Sequence, residues 1–375
     1  MNAREVYIAL NMIDKIGPVR VRALVEALGA PAGVFTASFA DLVRVKGIGE
    51  ELAQSIIAQR AQIDPAEEEA KAAKLDARIV TFVDDDYPEL LKQIHDPPLA
   101  LYVEGTLEKK DRQAVAIVGT RRATHYGLSV ADRLAYQLAK CGLTVVSGLA
   151  RGIDSAAHQG ALKGGGRTIA VLGSALDQLY PPENAELAGK IAKQGAVISE
   201  YTLGREADRT TFPYRNRIIS GLSMGAVIVE ADKSSGAMMT ADAALDQGRS
   251  VFAVPGRIDQ PGARGPHKLI KNGARLVEDI DDILQEFELL IPSDHAKKAA
   301  ALDGLPRVQL SADEQAVVKA LFEEPLDLDS LARRANLPMP QLTSMLLGLE
   351  MKRVIRMLPG RIVALADGVR KLTAE

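Results

Sequence analysis

The 375-residue sequence contains no tryptophan, one cysteine and five histidines. The single cysteine, Cys141, excludes an intrachain disulfide framework, and without a C-x-x-C pair a cysteine zinc site is excluded as well. The histidines show no H-x-x-x-H or H-E-x-x-H spacing, so neither a metal nor another cofactor is expected. No stretch approaches the ~20 apolar residues that span a bilayer, and the N-terminus lacks a signal-peptide pattern. We therefore expect a cytoplasmic protein with no membrane partner.

The net charge of −3 conceals a basic middle segment. Residues 115–275 contain 20 Lys and Arg against 13 Asp and Glu, a net charge of +7. Residues 61–110 contain 6 against 12, and residues 276–306 contain 2 against 8, so each of these segments carries −6. A basic segment between two acidic ones predicts a binding site for a polyanion in the middle of the chain.

Apolar runs rich in Val and Ile alternate with helix-length segments through this middle segment. They are AVAIVG (114–119), LTVVSG (143–148), TIAVLG (168–173), AVISE (196–200), AVIVEA (226–231) and SVFAVP (250–255). Continuous apolar strands separated by helices are typical of a parallel sheet that is covered on both faces. The pattern predicts an α/β domain with an extended Rossmann-like, doubly wound sheet over residues 61–290, including a helix at 65–75 and a strand at 78–83.

Residues 1–60 are predicted to form a helical domain. The run V-K-G-I-G at 45–49 has the h-x-G-h-G pattern of a helix-hairpin-helix, and the whole segment resembles a SAM-like bundle. Such a hairpin can present backbone N–H groups to a DNA phosphate at a helix N-terminus. Because Glu50 and Glu51 follow at once and oppose a phosphate, a structural or partner-docking role is favoured over DNA contact.

The C-terminal residues 307–375 are predicted to form a winged helix, preceded by an acidic linker at 291–306. Ser311 and Glu314 form a capping-box pattern, two more helices follow, and a hairpin turns at Pro359-Gly360. The presumed recognition helix, residues 340–350, contains no Lys or Arg. Since helices that read duplex DNA carry basic and amide side chains, a protein-contact or regulatory role is favoured for this domain.

Glycines and arginines follow the predicted strands at 119–124, 147–154, 233–236 and 255–257, and the basic run 209–217 precedes the fifth strand. In an open parallel sheet, ligands bind beyond the carboxyl ends of the strands. Glycines allow the backbone to approach a ligand, and arginines supply paired donors for phosphate. Tight turns with solvated arginines would explain any single loop. Several such loops at one sheet edge, within a segment of +7, favour a site for a phosphate backbone.

Two nucleotide-binding patterns are missing. The first strand is followed by G-T-R-R-A-T rather than G-x-G-x-x-G, and no G-x-x-x-x-G-K-[ST] loop is present. Asp154 and His158 are spaced i,i+4 and could form an acid–base dyad, although a buried or capping pair is favoured. Glu230 could act as a general base, anchor Arg217 or cap a helix. A nucleotide-phosphate hydrolase on a Rossmann-like scaffold is therefore the alternative function.

Phe212 lies within the run R-T-T-F-P-Y-R-N-R at 209–217. Proteins that bind single-stranded nucleic acid stack bases on aromatic rings while arginines hold the phosphates. The run favours such a position as strongly as it favours a core phenylalanine under a loop, so the sequence leaves both interpretations open.

A series of motifs occurs in fixed order between residues 84 and 275. They are V-G-T-R-R-A-T-H-Y-G, V-S-G-L-A-R-G-I-D-S-A-A-H, L-Y-P-P-E-N, I-S-E-Y, F-P-Y-R-N-R-I-I-S-G-L-S and E-A-D-K-S-S-G-A-M-M-T-A, preceded by D-P-P-L-A-L-Y-V-E-G. In this combination they resemble the DNA-processing protein A (DprA/Smf) family. The resemblance implies a homodimer that binds and protects single-stranded DNA and loads the RecA recombinase on it during natural transformation, with no known catalysis.

The resemblance also implies a set of DNA-binding residues. They are Gly119, Arg121, Gly148, Arg151, Gly152, Arg209, Phe212, Arg215, Asn216, Arg217, Ser235 and Gly236. Two positions depart from the family pattern. The chain has S-G-A-M-M-T-A where the family usually has S-G-S-L-I-T-A, so Ala237 lacks a hydroxyl that could contact phosphate. His267 stands where asparagine is usual.

Overall fold

A computed structural model describes residues 1–287, 311–321, 325–339, 341–342, 345–346, 349, 354–358 and 362–365. The chain divides into two compact units, Met1–Ala300 and Ala301–Glu375. The predicted linker at 291–306, most of the predicted recognition helix at 340–350 and the turn at Pro359-Gly360 lie outside the described residues. Within the described part of the chain, no helix is long and apolar enough to cross a membrane.

The first unit contains a sheet of nine strands. They are β1 (Ala77–Thr81), β2 (Ala100–Gly105), β3 (Ala114–Val118), β4 (Thr144–Ser147), β5 (Thr168–Val171), β6 (Ala196–Ser199), β7 (Gly225–Ile228), β8 (Ser250–Ala253) and β9 (Arg275–Leu276). Their order across the sheet is β1-β2-β6-β5-β4-β3-β7-β8-β9. The seven strands from β6 to β9 in that order are parallel, whereas β2 is antiparallel to both β1 and β6. The six strands predicted from apolar runs are confirmed.

The helices of the first unit are α1 (Ala3–Asn11), α2 (Pro18–Leu28), α3 (Gly33–Thr36), α4 (Phe39–Val43), α5 (Glu50–Arg60), α6 (Pro65–Ala73), α7 (Glu89–Lys92), α8 (His125–Lys140), α9 (Ile153–Lys163), α10 (Ala185–Gln194), α11 (Thr211–Gly221), α12 (Gly236–Asp246), α13 (Arg264–Lys271) and α14 (Asp281–Phe287). They cover both faces of the sheet. Along β3, Ala116 packs in a core with α11 and α12, while Ile117 packs in a second core with α8 and α9. Since successive strand residues point to opposite faces, the predicted doubly wound α/β fold is confirmed.

Helices α1 to α5 enclose a separate apolar core and also pack on the sheet. Ile8 of α1 contacts a cluster that includes Ile79 of β1 and Tyr102 of β2. The loop between α4 and α5 turns at Gly47, whose φ of +86° is a left-handed conformation that favours glycine. Gly49 then stands as the N-cap of α5, as the h-x-G-h-G pattern predicts.

The second unit contains α15 (Ala312–Ala320), α16 (Leu328–Ala335) and a three-stranded sheet of β10 (Leu326–Asp327), β11 (Ile355–Leu358) and β12 (Ile362–Leu365). The predicted capping box at the start of α15 is present, with Ser311 accepting a hydrogen bond from the Glu314 backbone N–H. The apolar core of the second unit includes Val317, Leu331 and Val363. Helices followed by a β-hairpin match the predicted winged-helix arrangement.

Candidate nucleic-acid interface

The loops after β3, β4 and β5 meet the N-terminus of α11 at the carboxyl edge of the parallel sheet. A shallow recess at this edge is lined by an arginine from each of three elements, by two aromatic rings and by small residues: Arg121, Gly148, Ala150, Arg151, Tyr180, Pro181, Phe212 and Arg215. The structure therefore brings five of the predicted site residues into one recess. Parallel α/β sheets bind ligands at this edge, because every βα loop opens there.

Phe212 and Arg121 form the centre of the recess. The Arg121 guanidinium carbon lies 4.7 Å from the centroid of the Phe212 ring. Tyr180 contributes a second ring, whose centroid is 5.9 Å from that of Phe212 with the planes tilted by 53°. Phe212 is half-buried, and Arg121 is exposed. Because the guanidinium lies over the ring, a base that stacks there displaces it, and its donors then become available to the phosphate.

Gly173 allows Phe212 to lie where it does. A Cβ on Gly173 would be 2.8 Å from Cδ1 of Phe212, closer than van der Waals contact permits. The ring therefore rests against the backbone that follows β5. This contact restrains the ring, so little side-chain conformational entropy is lost when a base stacks on it.

Arg215 is buried, with 4% of its surface exposed. Its guanidinium donates one hydrogen bond of 2.6 Å to the carbonyl of Gly148 and another to the carbonyl of Val171, so it joins the ends of β4 and β5. Burial lowers its pKa to about 10, opposed by the neighbouring Asp154 carboxylate, and Arg215 is therefore charged at neutral pH. A Cβ on Gly148 would be 2.4 Å from Nη1 of Arg215. A larger residue at this position would therefore displace the guanidinium from these carbonyls.

The β4–α9 loop has an unusual backbone. Leu149, which is fully buried, has a φ of +56°, and Gly152 has a φ of +77°. A Cβ on Gly152 would be 2.4 Å from the carbonyl oxygen of Thr120. The side-chain amide of Asn184 donates a 2.7 Å hydrogen bond to the carbonyl of Leu149, which holds the left-handed residue in place. Gly152 therefore allows the β4 loop to pack against the loop that carries Arg121.

Asp154 and His158 do not hydrogen-bond to each other as a dyad. The Asp154 carboxylate accepts hydrogen bonds from the backbone N–H groups of Gly148 (3.1 Å) and Ala150 (3.4 Å), which shapes the β4 loop. The His158 Nδ1 lies 2.7 Å from the Thr168 hydroxyl. Burial, together with the charge of Arg215, lowers the His158 pKa to about 3, so the ring is neutral at physiological pH. This arrangement is the buried alternative considered from the sequence.

Three predicted arginines at the edge are exposed: Arg121, Arg151 and Arg209. Arg151 forms an ion pair with Glu183. Within residues 1–287, Arg209 has no hydrogen bond or ion pair, and Arg121 contacts the Phe212 ring instead of a carboxylate. Arg121 and Arg209 are therefore cations whose donors are available to a ligand.

Asn216 and Arg217 are buried in the second turn of α11. The Asn216 amide donates a 3.0 Å hydrogen bond to the carbonyl of Gly236 at the start of α12. Arg217 forms ion pairs with Glu200 and with Asp96, the latter at 3.1 Å. Glu200, rather than Glu230, is thus the anchor of Arg217. These contacts fasten α11 to its neighbours, and neither Asn216 nor Arg217 lines the recess.

Glu230 fastens the loop that carries Arg121. Its carboxylate accepts hydrogen bonds from the hydroxyl and the backbone N–H of Thr124, the latter at 2.9 Å, at the N-terminus of α8. Its carbonyl accepts a 2.7 Å hydrogen bond from the N–H of Thr120. A Cβ on Gly127 would be 2.4 Å from this carboxylate, and one on Gly119 would be 2.5 Å from Ile153. Of the three roles considered for Glu230, helix capping is the one the geometry supports.

Ser235 and Gly236 lie at the N-terminus of α12. Ser235 is the N-cap, and its hydroxyl accepts a 3.3 Å hydrogen bond from the N–H of Ala237. Gly236 is exposed, and a Cβ added to it would meet no atom within 4 Å beyond its own chain neighbours. Neither residue lines the Phe212 recess. Among the described residues, no group of three or more His, Cys, Asp or Glu side chains could hold a metal ion.

The sheet order and the arginine-rich carboxyl edge place the chain among Rossmann-like α/β proteins. The family model for DNA recombination-mediator protein A matches residues 78–288, that for the DprA winged helix domain matches 299–361, and that for a SAM-like helix-hairpin-helix tandem matches 7–61. The chain is 33% identical to Protein Smf of Synechocystis sp. over 390 aligned residues, which cover 96% of this chain and 98% of the relative. The chain therefore belongs to the DNA recombination-mediator protein A (DprA/Smf) family.

Other relatives carry related names. The chain is 45% identical to the DNA processing protein DprA of Bacillus subtilis over 54% of this chain and 68% of that protein. The X-ray structure of DprA from Streptococcus pneumoniae superposes with a TM-score of 0.65 at 32% identity, covering 76% of this chain and 98% of that one. DprA from Helicobacter pylori, described for its single-stranded DNA binding mode, superposes with a TM-score of 0.51 at 31% identity, covering 57% and 96%.

Besides the lining residues Ala150 and Pro181, two functional side chains at the recess were not among the predicted site residues. Tyr180 packs its ring beside Phe212, and Glu183 pairs with Arg151. Both belong to the motif L-Y-P-P-E-N, which contributed to the family resemblance but not to the predicted site. The tyrosine before two prolines was a usable signal, because an aromatic residue in a rigid loop is a suitable stacking surface.

Proposed function

We propose that this protein binds single-stranded DNA along the carboxyl edge of its sheet. The observation that carries the proposal is the Arg121 guanidinium lying 4.7 Å over the half-buried Phe212 ring, in a recess at the end of three parallel strands. A base stacks on the ring, and the displaced guanidinium moves to the adjoining phosphate. Base stacking of this kind tolerates every sequence, because each base has a π-face.

The predicted residues divide into two roles in this proposal. Arg121, Arg151 and Arg209 are exposed and contact phosphates, and Phe212 contacts a base. Arg215, Asn216 and Arg217 are buried and position α11. Gly119, Gly148 and Gly152 permit the close packing of the loops, while Ser235 and Gly236 offer the N-terminus of α12 to a phosphate further along the strand.

We further propose that the protein protects incoming DNA and loads the RecA recombinase on it during natural transformation, as a homodimer. Support comes from the family, which is that of DNA recombination-mediator protein A, and from relatives named as DNA processing proteins. The Helicobacter pylori relative, whose structure is described for its single-stranded DNA binding mode, supports the choice of ligand.

We propose binding rather than catalysis as the activity. The two groups that could have formed an acid–base dyad have separate structural partners, since Asp154 shapes the β4 loop and His158 pairs with Thr168. Glu230, the remaining candidate base, caps α8 through Thr124. The alternative function, hydrolysis of nucleotide phosphates, has no specific observation in its favour.

A mobility-shift titration of the intact chain with single-stranded and duplex oligonucleotides of the same sequence tests the proposal. We expect preferential binding of the single strand, without hydrolysis of nucleotides in a parallel assay. Equal or stronger binding of the duplex would contradict the assignment of Phe212 as a base-stacking surface, because paired bases cannot reach it. Nucleotide hydrolysis that is lost in Asp154→Asn or His158→Gln would establish the alternative.

A further inference from the structure

The carboxyl edge continues beyond β3 over β7 and β8, on the side away from Phe212. Tyr126, in the first turn of α8, exposes 52% of its surface there. Its hydroxyl donates a 2.9 Å hydrogen bond to the carbonyl of Pro255, just after β8. Because the backbone is fixed by α8 and the hydroxyl by Pro255, the ring is held as a rigid exposed surface.

The loop after β8 adds an apolar side chain at the same edge. Ile258, three residues beyond Pro255, is 92% exposed. The loop is fastened by His267, whose Nε2 lies 3.0 Å from the carbonyl oxygen of Gly256. His267 is one of the two positions that depart from the family pattern, and the structure gives it this loop-holding contact.

Cations surround this part of the edge. Arg122, Lys233 and Arg264 are exposed, and within residues 1–287 their side chains form no ion pair. Arg264 lies at the end of β7, because the N–H of the following Gly265 donates a 2.8 Å hydrogen bond to the carbonyl of Ala231. The nearby Glu230 carboxylate is buried against Thr124 and faces away from solvent.

The loops after β7 and β8 contain three further charged residues. Arg257 is exposed and pairs with Asp259 at 2.9 Å, and Asp232 is exposed beside Lys233. The three unpaired cations therefore exceed the one unpaired exposed carboxylate. The loops after β3, β7 and β8 thus combine a fixed aromatic ring, an exposed apolar side chain and excess positive charge, the combination that suits single-stranded nucleic acid, whereas the loop after β9 is acidic at Glu278, Asp279, Asp281 and Asp282.

We propose that the strand bound at Phe212 continues across β3 and β7 to a second base-stacking position on Tyr126, with Ile258 beside its path. The inference rests on the proposed function and specifies the route of the same ligand. Phe212 lies against the backbone after β5, and Tyr126 is bonded to the backbone after β8. In the order β5-β4-β3-β7-β8 these ends are four strand steps apart, about 19 Å at the usual strand spacing.

A separation of this size makes the second position dependent on oligonucleotide length. A strand that fills only the Phe212 recess ends before Tyr126, whereas a longer strand reaches both rings. Protein–DNA affinity should therefore rise with length until both positions are occupied, and it should then level off. Loss of the second ring should affect only the longer strands.

The test compares oligothymidylates of about 2 and about 16 nucleotides, because a strand of about 4 is already long enough to reach both positions and the longer strand matches the largest site sizes of single-strand binding folds. We expect Tyr126→Ala to weaken binding of the longer strand at least about fivefold, the lower limit for loss of one stacked base. Binding of the shorter strand should stay within about twofold of the unsubstituted chain. Tyr126→Phe, which keeps the ring and loses only the hydroxyl contact, should retain most of the affinity for the longer strand.

The matched control is Tyr136→Ala. Tyr136 is also exposed and also on α8, but it lies nearly three turns further on, under Lys140.

Ile258→Asp and Ile258→Lys provide a measurement that is independent of folding, because that side chain is almost wholly exposed. The aspartate should weaken and the lysine should strengthen binding of the longer strand.

Unchanged affinity of Tyr126→Ala and of both Ile258 variants for the longer strand would overturn the second stacking position. If Phe212→Ala still loses affinity for both strands in that case, the proposed function stands and only the route is wrong. If Phe212→Ala also binds normally, the proposed function fails together with the route.

Discussion

Arg121 and Arg215 lie in the same recess but have different surroundings. Arg215 is buried and donates to the carbonyls of Gly148 and Val171, whereas Arg121 is exposed and lies over Phe212. A guanidinium that replaces lost hydration with carbonyl contacts stabilises the loops, and one that keeps its donors free can bind phosphate. Local sequence carries no direct sign of this difference, because both residues occur in Arg-rich and Gly-rich motifs.

At Phe212 the structure permits a direct test of base stacking. Phe212→Ala should cost about 1–3 kcal/mol in binding of single-stranded oligonucleotides, with little dependence on sequence. Phe39→Ala, at another partly exposed phenylalanine on α4, should leave binding unchanged. Fluorescence anisotropy with a labelled oligonucleotide measures both. A loss of thermal stability in Phe212→Ala with unchanged binding would instead identify a core phenylalanine.

His158 should make stability depend on pH. Its pKa is about 3 in the folded protein against 6.5 ordinarily, so on acidification the unfolded chain takes up a proton that the folded protein excludes. The free energy of unfolding should therefore fall as the pH drops below about 6.5. Between pH 7 and pH 5 the His158 contribution amounts to about 2 kcal/mol.

Urea unfolding of the intact chain and of His158→Gln at the two pH values measures this contribution. Asp154 and Glu200, whose pKa values are raised by burial, are present in both proteins and act in the opposite direction. The difference between the two proteins isolates the histidine. An equal fall in both would show that His158 is protonated in the folded protein.

At the scale of elements, the β3 and β4 loops hold each other in position. The N–H of Ile153 donates to the carbonyl of Thr120 at 3.3 Å, and Gly152 leaves no room for a Cβ there. Displacement of Thr120 would move Arg121, its neighbour in the chain. The recess is thus formed by loop–loop packing as much as by its own side chains.

Gly152→Ala should therefore damage both stability and binding. Gly165→Ala is the matched control, because Gly165 also has a positive φ, +70°, but no atom within 4 Å of an added Cβ. The control should lose about 1 kcal/mol of stability from the backbone conformation alone, with normal DNA affinity. Gly152→Ala should lose more, from the clash with Thr120, and should bind oligonucleotides more weakly. If Gly152→Ala and Gly165→Ala lost the same thermal stability and bound oligonucleotides equally well, the claim that the β3 and β4 loops hold each other in position would be refuted.

Six of the seven parallel strands were predictable because each is a continuous apolar run that both faces of the sheet bury, whereas β9, only Arg275–Leu276, carries no such signal. Strand β2 was not predicted, although Ala100–Gly105 is apolar, because it follows the Pro-rich stretch at 96–98. The antiparallel pairing of β2 with β6 joins residues nearly a hundred positions apart, and local patterns carry no information on such pairings.

In the site, the glycines and Arg121 could be identified from loop position. The burial of Arg215 and Arg217 depends on partners from distant loops, so it could not.

At the scale of the whole molecule, the first unit contains every residue proposed to contact DNA, and the second unit contains none. Residues 307–375 carry a net charge of only +1. Because neutralisation of phosphates dominates affinity for nucleic acid, this segment is poorly suited to supply it. We therefore propose that the sheet supplies the DNA affinity and that the winged helix has a regulatory or protein-contact role.

Deletion of residues 300–375 should leave affinity for single strands within about threefold of the intact chain, a change below about 0.7 kcal/mol. The comparison is made at matched salt, with circular dichroism to verify that the remaining unit is folded. A loss of tenfold or more would show that the C-terminal segment contributes to DNA binding, directly or through a dimer contact.

The most direct test of the central claim is the salt dependence of single-strand binding by the intact chain and by Arg121→Ala. If the edge neutralises about four phosphates, log K should fall with log salt at a slope of roughly −3, at about 0.7 for each phosphate. Arg121→Ala should bind more weakly and give a shallower slope, whereas Arg78→Ala, at an exposed arginine of the distant strand β1, should change neither. An unchanged affinity and slope in a folded Arg121→Ala protein would contradict the account.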